Sequence, residues 1–170
     1  FGGLVPTDPV YLFKIRKDIP QLIKELSDSD ISVRKKAVFA LAEMGPEAKS
    51  AVPALTKLLN NSNAQTRTVA AVVLSQIGPE AKSAVPELTK ALSDSDAGVR
   101  AWSAISLGNI TPTEAKSAVP ALTKLLNDSN LEIRTNALGA LGNIDPGTIS
   151  ALSDKLFKKC NKAKYGCINL

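Results

Sequence analysis

The amino-acid sequence predicts an all-α protein, an α-solenoid of four two-helix repeats with a capping helix at each end. Three observations predict it. One phrase recurs, as Ile19-Pro20-Gln21-Leu22, Val52-Pro53-Ala54-Leu55, Val85-Pro86-Glu87-Leu88 and Val119-Pro120-Ala121-Leu122, at spacings of 33, 33 and 34 residues. Each phrase runs into a Leu-rich stretch, a polar break and then an Ala/Leu/Ile-rich stretch with apolar residues at helical spacing. No alternation of Val, Ile and Thr bounded by turns suggests a strand. One two-helix unit cannot bury both faces alone, whereas stacked units share a continuous core.

The N-terminal part, 1–18, reads as an extended tail, Phe1–Pro6, followed by a capping helix. Asp8 is its N-cap and Pro9 its first residue, and Val10 and Phe13 would cover the first repeat. The repeats then span 19–51, 52–84, 85–118 and 119–147. Helix A of each unit carries Pro near its start, where the missing N–H costs little. Leu22, Ile23 and Leu26 share one face of the first helix A, as Leu55, Leu58 and Leu59 do in the second. The breaks Asp28-Ser29-Asp30, Asn61-Ser62-Asn63, Asp94-Ser95-Asp96 and Asp128-Ser129-Asn130 supply turn and N-cap chemistry. Helix B follows, with an Arg at a fixed place (Arg34, Arg67, Arg100, Arg134), and stops at Gly45-Pro46, Gly78-Pro79, Thr111-Pro112 or Asp145-Pro146. The extra residue of the third unit falls at Thr111–Thr113. The segments Glu47–Ala51, Glu80–Ala84 and Glu114–Ala118 suit a short extra turn before helix A. In 148–170, Ile149, Leu152 and Leu156 suit a second capping helix, followed by a basic tail.

Composition narrows the function. Apolar residues make up 44% of the 170 and aromatics 4%, so Ala, Leu, Val and Ile must build the core. The chain has no His, which removes the commonest general base and metal ligand and any Ser-His or Cys-His mechanism. No run of 18 apolar residues exists to span a membrane. Lys and Arg number 21 against 16 Asp and Glu. The excess is uneven: 19–144 carries 13 basic and 12 acidic groups, whereas 145–170 carries five Lys against Asp145 and Asp154. A nucleic-acid binder should show a basic stripe along its body, and this chain does not. The reading is a non-enzymatic protein that needs no cofactor and no metal, and that binds another protein or a multi-subunit complex, with peripheral association to a membrane complex as one setting.

A period near 33 also suits ankyrin and tetratricopeptide units, but the Thr-Pro-Leu-His phrase and the large interhelical aromatics of those families are missing. The repeated phrase, from Val-Pro-x-Leu through the turn Asp and Val-Arg to Ala-Leu-Gly-x-Ile-Gly, resembles instead the short HEAT repeats of the phycobilisome-lyase-like type, over residues 19–147. The resemblance implies a HEAT/armadillo-like superhelix whose turn Asp and following Arg form a hydrogen-bonded ladder. Carried over, the pairs are Asp28 with Arg34, Asp94 with Arg100 and Asp128 with Arg134, and Arg67, opposite Asn61, should have the weaker contact. Periodicity makes these charged residues structural rather than catalytic. The resemblance also includes proteins that attach or remove bilin chromophores or act in iron–sulfur maturation, so a maturation factor is the alternative function. A nucleic-acid-binding solenoid is a further one.

Two places invite a site. Cys160 and Cys167 flank a short basic loop; they form either a disulfide or two free thiols, and no His or further Cys completes a metal site. With a Phe rather than a Met at the start, a disulfide would suit an exported or organelle-lumen protein. The second place is the helix B face, expected to line the concave side. Counting from each Arg, positions one, two, five and nine should point away from the core: Lys35, Lys36, Phe39, Glu43; Thr68, Val69, Val72, Gln76; Ala101, Trp102, Ile105, Asn109; Thr135, Asn136, Gly139, Asn143. The repeats disagree most at these positions. Phe39, Val69, Val72, Trp102 and Ile105 would form one apolar stripe beside Lys35 and Lys36, the pattern of an interface. Otherwise the same side chains fold sideways into packing between repeats.

Overall fold

The computed structural model describes residues 19–151. Helix α1 (Ile19–Glu25) pairs with α2 (Ile31–Met44), α3 (Val52–Leu58) with α4 (Ala64–Ile77), α5 (Val85–Ala91) with α6 (Ala97–Asn109), and α8 (Val119–Leu125) with α9 (Leu131–Ile144). A single turn, α7 (Pro112–Ala115), precedes α8. The chain becomes helical again at 146–151, and no strand occurs among the described residues. The expected N-terminal cap, the remainder of the C-terminal cap, Cys160 and Cys167 lie outside the described residues.

The local chemistry explains each boundary. The first Asx of every break accepts the N–H two residues on: Asp28 from Asp30 at 2.8 Å, and Asn61, Asp94 and Asp128 from Asn63, Asp96 and Asn130 at 2.9 Å. The second Asx then caps helix B. Asp30 accepts from the Ser32 N–H, Asn63 from Gln65 and Thr66, Asp96 from Val99 and Asn130 from Glu132. Asn61 makes the same turn as Asp28, Asp94 and Asp128, so the turn needs the side-chain oxygen and not its charge.

The ends of helix B show why one repeat is longer. Gly45 and Gly78 sit at φ +50° and +65°, a conformation that a residue with a Cβ rarely adopts. There the chain reverses at once into the 3₁₀ turns Gly45–Ala51 and Gly78–Ala84. The third unit has no Gly at this point. Ile110 and Thr111 leave α6 extended, at φ −81°, ψ 155° and φ −59°, ψ 140°, and the added residue of that loop covers the detour before Pro112.

Leu26, Leu55, Leu88 and Leu122 of the first layer and Leu41, Leu74, Leu107 and Leu141 of the second are wholly buried, one of each per repeat. The outer face of the first layer is solvated, and Lys24, Lys57, Lys90 and Lys124 are all exposed. Small residues bring neighbouring helix B backbones close. A Cβ on Gly108 would stand 3.0 Å from Ala140 Cα, so α6 and α9 approach as nearly as a glycine allows. Ala37, Ala70 and Ala137 occupy equivalent, fully buried positions, but the third unit places Ser103 there. Its Oγ has no hydrogen-bond partner among the described residues. Removing an unsatisfied buried hydroxyl without creating a large void should be favourable. Ser103→Ala should therefore raise the unfolding free energy by about 1 kcal/mol, measured by urea titration; a loss of stability would mean that the hydroxyl is satisfied.

Candidate partner-binding face and the arginine ladder

The turn arginines use two edges of one guanidinium. Nη1 of each donates to two carbonyls of its own turn. For Arg34 these are Asp28 O at 2.7 Å and Ser29 O at 2.9 Å; for Arg67, Asn61 O at 2.8 Å and Ser62 O at 3.0 Å. Arg100 reaches Asp94 O at 2.8 Å and Ser95 O at 3.1 Å, and Arg134 reaches Asp128 O at 2.8 Å and Ser129 O at 3.0 Å. The opposite edge reaches the next repeat. Arg67 grips Asp94 in a fork, Nε to Oδ2 and Nη2 to Oδ1, both at 2.8 Å. Arg100 holds Asp128 through Nε at 2.8 Å and Nη2 at 3.4 Å.

The expected pairs of Asp28 with Arg34, Asp94 with Arg100 and Asp128 with Arg134 are all hydrogen-bonded, but through backbone carbonyls. The carboxylate of each rung comes from the following unit, and the Asp six residues before the Arg contributes only its backbone carbonyl. Asn61 therefore does not weaken Arg67, which makes the more symmetric fork of the two. Among the described residues Arg34 has no carboxylate partner, and Asn61 occupies the place of Asp94 and Asp128 in the following repeat. Arg134 also has no carboxylate partner among the described residues.

The rungs shape the carboxylates electrostatically. Burial pushes Asp94 up, but hydrogen bonds from Arg67 and the Asp96 N–H, with the charges of Arg67 and Arg100, outweigh it and hold the carboxyl below its ordinary range. Asp128 is lowered by the Asn130 N–H first and by Arg100 second. Arg67 is held more firmly protonated, chiefly by its hydrogen bond to Asp94.

Between the helix B backbones, later units reach back to earlier ones. Ser106 Oγ donates to Ala71 O at 2.7 Å, Asn109 Nδ2 to Ser75 O at 3.1 Å and Asn143 Nδ2 to Gly108 O at 3.2 Å. This closeness decides the fate of the expected stripe. Lys35, Lys36 and Phe39 are exposed, Phe39 by 52%. Val72, Trp102 and Ile105 are partly buried, and Trp102 packs against the core. Val69, at 8% exposure, and Ala101 are buried, which corrects the expectation that they point clear of the core.

The first helix B packs less closely against the next than the later ones do. Four residues after the Arg, α4 and α6 carry Ala71 and Ala104, whereas α2 carries Val38. Val38 and Val69 both line a cleft of about 480 Å³ between α2 and α4. Ile31, Val38, Phe39, Ala42 and Val69 make its apolar wall, and Arg34, Lys35 and Gln65 its polar edge. Sequence reasoning missed Ile31 and Val38. It also missed Leu131 and Leu138, exposed by 68% and 48%. The signal was available: Ile31 and Leu131 stand where the middle units have Ala64 and Ala97, and Val38 and Leu138 where they have Ala71 and Ala104. Among the described residues, no group of three or more His, Cys, Asp or Glu could hold a metal ion, and no helix is long and apolar enough to cross a membrane.

Stacked helix pairs, a forward-running arginine ladder and a partly apolar second layer define an α-solenoid repeat protein. The chain belongs to the HEAT-repeat family, whose model matches residues 19–108 and again 85–162. It is similar in structure to an engineered protein, with 31% identity and a TM-score of 0.61 over 76% of this chain and 63% of the other. A designed armadillo repeat protein in complex with the peptide (KR)4 gives 25% identity and a TM-score of 0.63 over 79% and 69%. The complex of CpcE and CpcF of phycocyanin lyase from Nostoc sp. PCC7120 gives 25% identity and a TM-score of 0.63 over 75% and 78%. The chain spans less than two thirds of the engineered proteins it matches, 63% of one and 37% of another. No curated protein matches.

The lowered carboxyls link stability to pH. A carboxyl depressed by folding stabilises the protein above its unfolded value, near 3.9, and that contribution disappears as pH falls through the folded value. The thermal midpoint should therefore fall as pH drops below about 4. Asp94→Asn should lower the midpoint at pH 7 and flatten that acid slope; an unchanged slope would show that Asp94 does not carry it.

Proposed function

We propose that the chain is a non-enzymatic interaction module that binds another protein across its helix B layer, with the α2–α4 cleft as the main seat. One observation carries the reading: Phe39, a large aromatic side chain 52% exposed, stands beside an apolar cleft on a helix whose other large apolar residues are mostly covered. Solvated apolar surface gathered around a concavity is costly unless a partner covers it. Lys35, Phe39 and Val69 line the cleft. Lys36 lies on the same exposed helix, and Val72, Trp102 and Ile105 extend the face over the next two repeats with partly covered apolar edges. The designed armadillo neighbour holding a peptide, and the two-protein lyase complex, support a binding role for a layer of this kind. The lyase likeness favours a second reading, an accessory role in chromophore attachment, for which a visible absorbance band in protein purified from its native extract is the test.

The two aromatic residues of this face separate anchor from packing. Phe39→Ala should weaken capture of the partner from native extract by about 2 kcal/mol, with helical content by circular dichroism unchanged. Trp102→Ala should instead lower stability by about 3 kcal/mol because its ring packs against the core. Partner capture insensitive to Phe39→Ala would remove the cleft from the binding face.

A further inference from the structure

We infer that the α2–α4 cleft takes an extended partner segment bearing a carboxylate beside bulky apolar residues, the carboxylate seated on the guanidinium edge of Arg34 that the ladder leaves unpaired. The inference rests on the binding role proposed above and names the chemistry of the occupant. Arg34 is anchored in its own turn as Arg67 and Arg100 are, through Nη1 to two carbonyls. In those two the Nε/Nη2 edge holds a carboxylate of the next repeat. The equivalent edge of Arg34 meets a unit with Asn61 at that place, whose Oδ1 accepts the Asn63 N–H. A guanidinium fixed on one edge, with no carboxylate on the other among the described residues, suits bidentate recognition of a planar carboxylate.

Arg34 lines the cleft together with Ile31, Val38 and Phe39, and Lys35 adds a second positive charge at the same border. The nearby carboxylates already accept backbone N–H groups, Asp28 from Asp30 and Asp30 from Ser32. From the facing helix, Gln65 brings a neutral amide. Glu43 is exposed two turns further along α2. A volume of about 480 Å³ is within the roughly 300–1,000 Å³ that encloses a ligand of several side chains' bulk. An apolar segment with a Lys or Arg here would be repelled, and a neutral one would leave the Arg34 edge unpaired.

Three fluorescein-labelled probes of equal length test this by anisotropy with the full chain: a peptide alternating Glu with Leu and Phe, and its Gln and Lys counterparts. The Glu peptide should bind about tenfold more tightly than the Gln peptide, and the preference should shrink as salt is added. Asn61→Asp should supply Arg34 with an internal carboxylate. It should abolish the preference for Glu over Gln and raise the thermal midpoint, whereas Phe39→Ala should weaken Glu and Gln peptides alike. Equal affinity for the Glu and Gln peptides, both still dependent on Phe39, would overturn the carboxylate and leave the cleft reading standing. Binding that responds to neither substitution would overturn both, as would no binding of any probe. An Asn61→Asp protein with unchanged midpoint and preference would show that position 61 does not face Arg34. Self-association of the chain that Phe39→Ala dissolves would make a second copy the occupant and overturn the inference.

Discussion

A planar guanidinium has two usable edges, and the ladder spends them on different repeats. One edge closes the turn that carries the arginine, by hydrogen bonds to backbone carbonyls that every repeat possesses. The other reaches forward to a carboxylate that only some repeats supply. Turn geometry is thereby separated from repeat-to-repeat attachment. Asn61 shows the separation, since it builds its own turn as an Asp does and yet offers Arg34 nothing to pair with. The fork between Arg67 and Asp94 is largely shielded, with side-chain exposures of 13% and 14%, so it escapes part of the solvent screening that makes open ion pairs weak.

Close helix packing is the second tie, and it follows the same division along the chain. Ala71, Ser75, Ala104 and Gly108 let the later helix B backbones come near enough for side chains of one repeat to reach carbonyls of another. Between α2 and α4 both ties are altered. Val38 stands where α4 and α6 have Ala, and Asn61 removes the rung. Either change alone would alter the stability of one junction. Together they produce an apolar cleft with a cation at its border, and the functional reading follows from that coincidence.

The repeat made most of the fold legible. Four copies of one phrase expose its punctuation, so the Pro starts, the Asx caps and the Gly stops could be assigned from residue chemistry and agree with the boundaries observed. The direction of the ladder was not legible. The Asp and Arg of one unit lie six residues apart in sequence, whereas the carboxylate that pairs lies 27 or 28 residues away and becomes a neighbour only on stacking. Exposure on the helix B face was hidden for a related reason. Whether Val69 or Trp102 is covered depends on packing against residues of another repeat, which the sequence of one unit does not show. Disagreement among repeats singled out Trp102, whereas the structure makes Phe39 the more exposed aromatic.

The forward direction of the ladder is best tested by paired double-mutant cycles on unfolding free energy. One cycle joins Arg67 with Asp94 of the next repeat, and the other joins Arg67 with Asn61 of its own, each residue being replaced by Ala. The account predicts a coupling of about 1 kcal/mol or more for Arg67 with Asp94 and a value near zero for Arg67 with the Asn61 side chain. A larger coupling with Asn61 than with Asp94 would contradict it.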